Sequence, residues 1–292
     1  GAFFRKDIRG FLPELMETMY NDRVKFKNWA LEAKQKFEDT KDKRYQNEIS
    51  KYNNIQMARK IALNSAYGAI GNQYFRYYNE KMATAITTSG QLSIRWIENK
   101  VNDYLNGILQ TTDEDYIIAS DTDSIYVTFD ELVRKSFGER TDVPTERVID
   151  FLDKIAKEKM EPYIDKCYEE LAEYVKAYAQ KMEMSREVIA DKGIWTAKKR
   201  YILNVHDSEG VRYEEPKLKM MGIEAVKSST PAPCRKMIKD ALKIMMNGTE
   251  DEVIDFIDQS RKDFKKLPPE DIAFPRSASD VVKYQAYSTI YA

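Results

Sequence analysis

The sequence predicts an α+β protein with helices and strands segregated along the chain, and three observations carry that reading. Two long helical patterns stand back to back within residues 13–72. Two short apolar strands flank Asp121-Thr122-Asp123-Ser124 in mid-chain, and a strand-rich stretch at residues 194–213 leads into further helical patterns. With 42% hydrophobic and 33% charged residues over 292 positions, the chain has the composition of an ordinary globular protein with room for two or three modest domains. No apolar run reaches the length of a membrane span, and no signal-peptide pattern is read at the start. Two cysteines and one histidine argue against a zinc site and for a reducing compartment. The net charge of −1 gives no basic excess. Basic residues nevertheless gather at Arg23, Lys25, Lys27, Lys34, Lys36, Lys41, Lys43 and Arg44 and again at Lys198-Lys199-Arg200, while acids gather between Glu146 and Glu173.

Taken in order, Phe3 to Gly10 reads as a strand running into a turn, and its start in mid-pattern is expected of a segment cut from a longer protein. A helix begins at Pro13, with Leu15, Met19, Val24, Leu31 and Phe37 as inward positions, and the polar break Glu38–Lys43 ends it. A second helix follows through Tyr45, Ile49, Tyr52, Ile55, Ala58, Ala62 and Ala66, closed by Gly71-Asn72 as a C-terminal cap. Two long helices with a short polar turn make an antiparallel hairpin. Arg23 and Lys27 are spaced i, i+4 on the first helix, and Lys60, Asn64 and Tyr67 i, i+4, i+7 on the second. These charges read either as a solvated stripe or, if the faces converge, as three cations suited to a triphosphate.

An aromatic-basic cluster, Tyr74-Phe75-Arg76-Tyr77-Tyr78, precedes an amphipathic helix from about Lys81 to Asn106. The strands Tyr116–Ala119 and Ile125–Phe129 then form a hairpin whose tight turn carries Asp121 and Asp123. Alternation along a strand puts i and i+2 on one face, so the two carboxylates can share one edge. Close carboxylates repel unless a cation lies between them, and a hard ion such as Mg²⁺ accepts such a pair while keeping room for phosphates. A polar turn without metal is the other reading of the same residues. A helix from Pro144 to Lys176 follows, with Val148, Leu152, Ile155, Ile164, Cys167 and Leu171 inward. Ile194–Val205 reads as a strand pairing with Val211–Tyr213 across the turn His206–Gly210, and His206 is expected to face solvent there. Lys227–Pro231 is a loop. A helix covers Cys234–Met246, and Thr249-Glu250-Asp251-Glu252 is a capping box opening another, which ends before Pro268-Pro269.

Two of these stretches resemble polymerase motifs of family B DNA polymerases. Lys60-Ile61-Ala62-Leu63-Asn64-Ser65-Ala66-Tyr67-Gly68 resembles the second motif, and Asp121-Thr122-Asp123-Ser124 between apolar strands resembles the third. The T-even-type phage branch is resembled in particular, through Asn64–Gly68, Thr84–Thr88 and Glu214–Lys219. The resemblance implies catalytic roles for Asp121, Asp123 and Lys60, and metal binding by Asp123 and Asp121. Glu187 falls where the family often carries another acid near the metals. It implies nucleotide binding by Arg23, Lys27, Lys60, Asn64 and Tyr67, and DNA contacts from Gly68, Lys199 and Tyr201.

The fold implied is a partial right hand. Residues 1–12 enter the palm, 13–72 form helical-hairpin fingers, 73–227 form a palm with an antiparallel sheet and packed helices, and 228–292 begin a helical thumb. The implied function is template-directed addition of dNTPs to a primer 3′ end with two Mg²⁺ ions, Mn²⁺ being a substitute. Primer-template DNA, a sliding clamp and an N-terminal polymerase and exonuclease portion are the implied partners, and the cytoplasm of a bacterial host the place. The pattern departs from the family at Ala119, where a tyrosine is usual. The family's first motif, an aspartate ahead of Ser-Leu-Tyr-Pro-Ser, has no counterpart in these residues. The chain is therefore expected to be a fragment that is inactive alone, with a non-catalytic nucleic-acid-binding remnant or one subunit of a split polymerase as alternatives.

Overall fold

The computed structural model describes residues 4–138 and 143–277, an α+β chain that divides into two compact units. The first comprises Gly1–Ile189 with His206–Glu215, the second Ala190–Val205 with Pro216–Ala292.

In the first unit, helices α1 (Phe11–Thr40) and α2 (Lys43–Ile70) pack along their length as the expected hairpin. Lys41 turns the chain in the left-handed region (φ 54°) while its N–H reaches the Phe37 carbonyl. Asp42 then caps α2 by accepting from the Arg44 N–H at 2.9 Å. Ala30 and Ala33 are the buried residues of α1, whereas Leu15 is exposed. The other four expected inward residues, Met19, Val24, Leu31 and Phe37, are half-buried, while the deepest positions of the seam are small side chains that let the helix axes approach. Phe26, Trp29 and Tyr52 pack edge-on at 5.3–5.4 Å, and Arg59 lies over Phe26 and bonds Asp22 at 2.8 Å. Gly71 ends α2 in the right-handed region, so it is a stop without the left-handed cap geometry. Residues 4–10 are not a strand. No strand pairs with them among the described residues, and Arg5 and Asp7 satisfy one another locally.

Helix α3 (Glu80–Leu109) buries a stripe at every fourth residue, Ser93, Ile97, Val101, Leu105 and Leu109. The partner stripe is Ile164, Cys167, Tyr168 and Leu171 of α6 (Glu161–Tyr174). Polar contacts fix their register: Trp96 Nε1 donates to the Cys167 carbonyl at 3.0 Å, and Tyr163 donates to the Lys100 carbonyl at 3.1 Å. Burial pushes the Tyr163 phenol and the Cys167 thiol up from their ordinary values. The helix expected over 144–176 is interrupted. α5 (Thr145–Ile155) passes through a π-helical turn at Ala156–Met160 into α6. Pro162, at the start of α6, has no N–H to donate back, and the wider turn accommodates that loss. Ile149, not Val148, is the buried residue of α5. A short helix, α4 (Asp130–Phe137), precedes it.

Strands β1 (Ile117–Asp121) and β2 (Ser124–Val127) pair antiparallel, Asp121 opposite Ser124, with an irregularity between Ile117 and Ala119. Their inner side chains Ile117, Ile125 and Val127 pack on the α3–α6 core. A second sheet has the order β3 (Val188–Ala197), β4 (Arg200–Ser208), β5 (Val211–Met221). The single strand expected over 194–205 is thus two strands with a turn at Lys198-Lys199, Lys199 adopting φ 61°. Lysines compatible with an extended edge conceal that turn. Gly222 braces it, because at φ 66° a Cβ there would lie 2.3 Å from the Lys199 carbonyl oxygen. His206 lies within β4 and is half-buried, not in the turn. The turn itself is only Glu209-Gly210, both at positive φ (52° and 85°), a two-residue type I′ geometry that matches strand twist.

In the second unit, Ile202, Ile223, Ala225, Leu242 and Met246 form a core, packing the sheet against α7 (Ala232–Asn247). Asn204, 1% exposed, donates to Asp191 at 2.8 Å. Helix α8 (Glu250–Phe264) opens with the expected capping box between Thr249 and Glu252, and α9 (Pro269–Ile272) follows. Cys167 is buried and Cys234 half-buried, both free thiols.

One polar cluster of the first unit is deeply set. Asp207 is 2% exposed and takes ion pairs from both Arg186 and Arg212, the latter at 3.1 Å. It also accepts from the Gly210 N–H at 3.0 Å. Arg186 reaches on to Asp153 and Arg212 to Asp150 at 2.8 Å. Removing the buried carboxylate takes from both arginines the partner they share and leaves them only Asp153 and Asp150, so Asp207→Ala is expected to cost up to about 3–5 kcal/mol. Urea unfolding followed by circular dichroism checks this; a loss below about 1 kcal/mol would show that the cluster is solvated. Burial raises the Asp153 carboxyl, but Lys157 and Arg186 outweigh it and hold the group below its ordinary value of 3.8. A depressed carboxylate stabilises above the unfolded value, and that stability is lost as pH falls through the folded one. Asp153→Asn is therefore expected to flatten the acid limb of stability below about pH 4, with urea midpoints across the acid range as the measurement.

Candidate functional site

The helical hairpin gathers cations. Arg23, Lys27 and Lys34 on α1 and Lys60 on α2 line one cavity of about 140 Å³, together with Asn53, Gln56 and Glu209. The i, i+4 spacing on α1 and the antiparallel approach of α2 turn the charges toward one another. Lys27 is ion-paired with Glu209. Among the described residues, Arg23, Lys34 and Lys60 have no carboxylate partner, and the buried Arg23 Nε has no hydrogen-bond acceptor. Four guanidinium and ammonium groups, three of them without a carboxylate partner, around a small cavity with one carboxylate make an anion-binding arrangement.

Asn64, Tyr67 and Gly68 continue the same helix beyond Lys60 and are exposed. A Cβ at Gly68 would meet nothing within 4 Å, so its neighbourhood is open. Asn64 and Tyr67 do not line the cavity.

The aspartate hairpin supplies oxygen donors. Asp121 closes β1, half-buried, and accepts from Thr122 Oγ1 at 3.0 Å, while Ser124 Oγ donates to its carbonyl at 3.2 Å. Asp123 is the second residue of the two-residue loop and is exposed, its N–H held by the Asp121 carbonyl at 2.7 Å. Strand alternation does not govern Asp123, since it lies outside both strands. The two aspartates are joined instead by the loop, in which Thr122 takes φ 59°, an uncommon conformation for a β-branched residue. Beneath the hairpin, burial pushes the Tyr168 phenol up and the Asp123 charge adds to it.

Two hard carboxylates beside hydroxyl groups are a donor set that fits part of a Mg²⁺ shell. Among the described residues no third carboxylate, His or Cys joins them, so Glu187 does not complete the set. Glu187 is exposed just ahead of β3, and its carbonyl accepts from the Glu209 N–H at 2.6 Å.

In the second unit, Lys199 is exposed at the β3–β4 turn. Tyr201, two residues on, is 6% exposed with its ring 6.2 Å from Trp195. The sequence reading did not identify Lys34 or Glu209 as site residues. Lys34 lies a further two turns along the face of Arg23 and Lys27, so helical spacing was a usable signal. Glu209 sits in a turn distant in sequence from α1, and only the tertiary fold brings it there.

Comparison with known proteins bears on all of this. Residues 3–139 match the model of DNA polymerase family B. The chain is 46% identical over 237 residues to a DNA-directed DNA polymerase of Escherichia phage RB69, covering 78% of this chain and 26% of that protein. It is 41% identical over 244 residues to the DNA-directed DNA polymerase of Enterobacteria phage T4, covering 80% and 27%. DNA polymerase 1 of Pyrococcus abyssi is 25% identical over 273 residues, 92% and 28%. The chain thus spans about a quarter of the length of these relatives. On these findings the chain carries sequence of DNA polymerase family B, of the type found in the T-even phages.

Proposed function

We propose that this chain supplies the nucleotide-binding helical hairpin and part of the catalytic palm of a template-directed DNA polymerase. The observation that carries the reading is the convergence of Arg23, Lys27, Lys34 and Lys60 on one cavity, in a chain that also presents Asp121 and Asp123 on one tight hairpin. A polyanionic triphosphate is the ligand such a cavity suits, and primer-template DNA is the second substrate. Residues 13–72 are the fingers, 73–227 the palm and 228–292 the start of a thumb. The relatives' additional length makes an N-terminal polymerase and exonuclease portion, with the missing first motif, the natural complement. The chain is then inactive alone, and a sliding clamp is a further partner of the assembled enzyme. The phage relatives make the cytoplasm of a bacterial host the place of action; among the described residues no helix is long and apolar enough to cross a membrane.

Each residue has a task in this reading. Lys60 and Arg23 neutralise the phosphates, and Lys27 joins them. Asn64 and Tyr67, one and two turns past Lys60, face the nascent base pair, with Gly68 leaving room for DNA. Asp123 and Asp121 hold the divalent ions. Mg²⁺, when bound, supplies positive charge at the primer oxygen and the leaving pyrophosphate, and Mn²⁺ can replace it. Lys199 touches the primer strand from the β3–β4 turn, which Tyr201 anchors by packing on Trp195.

In a polymerase completed with its N-terminal portion, Asp123→Asn is expected to abolish metal-dependent dNTP incorporation while Asp121→Asn leaves residual activity. Lys60→Ala is expected to weaken dNTP affinity by about tenfold or more and to slow incorporation, with primer-template affinity unchanged. Single-turnover primer extension and DNA binding measured on the same variants decide the matter. Loss of DNA binding with intact nucleotide kinetics would place Lys60 on a DNA track instead.

A further inference from the structure

The cavity between α1 and α2 contains one negative group that the proposed function does not use. Glu209 is delivered there by the β4–β5 turn, and its carboxylate pairs with Lys27. Its position is set from several sides. The Glu209 N–H donates to the Glu187 carbonyl at 2.6 Å, the next N–H, of Gly210, donates to buried Asp207, and both turn residues hold positive φ. The strand that leaves the turn grips α1 a second time: Gln35 Oε1 accepts the N–H of Arg212 in β5 at 3.0 Å, eight residues along the helix from Lys27. Two contacts roughly 12 Å apart on one helix define its orientation more firmly than either alone.

We infer that Glu209 is a built-in competitor for the cavity, a carboxylate that occupies the phosphate position at Lys27 and latches α1 to the β4–β5 turn until a polyphosphate displaces it. The inference rests on the reading of the cavity as a polyphosphate site and adds to it a gate. The physical logic is a competition of anions for one cation. Glu209 carries one negative charge and accepts from Lys27, whereas a triphosphate carries several and can engage Arg23, Lys34 and Lys60 as well, so it wins only by using those cations together. Displacing Glu209 breaks one of the two grips that the β4–β5 hairpin has on α1 and leaves the Gln35–Arg212 contact, beside the separate Glu17–Lys181 ion pair near the start of the helix. Ligand binding and helix release are thereby coupled, and coupling is reciprocal: whatever loosens the latch must tighten polyphosphate binding. Because the Lys27–Glu209 pair is partly exposed, the competition is modest and sensitive to salt.

The test is titration calorimetry of the full 292-residue chain with inorganic tripolyphosphate, which carries the phosphate chemistry without base or sugar. Glu209→Gln is expected to bind about three- to tenfold more tightly than the unaltered chain at low salt, the difference shrinking at high salt. Gln35→Ala, which weakens the other grip and removes no charge, is expected to tighten binding in the same direction by a smaller factor. Lys60→Ala is expected to weaken it in either background. Should Lys60→Ala weaken binding while Glu209→Gln leaves it unchanged, the cavity reading holds and the latch is overturned. Should neither variant alter binding, the cavity is not a polyphosphate site and both readings fall together. Glu209→Ala serves as the second variant: if Glu209→Gln lowers the melting temperature, the alanine form must still show the gain in affinity, and its failure to do so overturns the latch.

Discussion

A buried carboxylate organises the first unit. Asp207 is almost wholly removed from water and carries two arginines and a backbone N–H, so all its neighbours are committed to it. An isolated charge in such a position is prohibitive, and only the completeness of the cluster makes it tolerable. The consequence is geometric. Arg186 ties the segment before β3 to Asp153 on α5, Arg212 ties β5 to Asp150 on the same helix, and Gly210 locks the turn between β4 and β5. A replacement of the whole cluster by apolar residues of equal volume need not cost stability, but it would free the turn.

Freedom of that turn matters because of what it carries. Glu209 stands next to the locked residue and reaches the cation-lined cavity between α1 and α2. The long helical hairpin has few fully buried side chains and so little core of its own. Its orientation therefore depends on a few contacts such as Lys27–Glu209 and Gln35–Arg212. Such contacts are weak enough to exchange with a ligand and specific enough to define a resting position. The α3–α6 core, by contrast, buries large apolar side chains with their polar atoms satisfied, and it gives the aspartate hairpin a rigid base.

Much of this was legible in the sequence because it rests on local rules. Helical periodicity gave α1, α2 and α3, strand alternation around a polar turn gave β1 and β2, and Thr249–Glu252 announced a helix start. The convergence of Arg23, Lys27 and Lys60 was open as a possibility from their spacing. What escaped reading depended on tertiary partners or on backbone conformation that side chains do not advertise. Lys198-Lys199 turns the chain because Gly222, more than twenty residues later, leaves room for the Lys199 carbonyl. The π-turn near Pro162 is invisible to a 3.6-residue pattern that continues on both sides. Residues 4–10 look extended, yet a strand exists only where a neighbour pairs with it. Glu209 and Asp207 read only as members of the turn His206–Gly210, since nothing local reveals that two distant arginines surround one of them.

The most direct measurement of the organising role given to Asp207 is hydrogen exchange at the turn beside it. A two-residue hairpin turn normally exchanges its amides within about an order of magnitude of an unstructured chain. If the buried carboxylate holds the turn, the Gly210 amide, and with it that of Glu209, should exchange at least about a thousandfold more slowly, and Asp207→Asn should erase most of that protection. Fast exchange of both amides in the unaltered chain would contradict the account, because the turn would then be free and the cluster beneath it no more than a surface network.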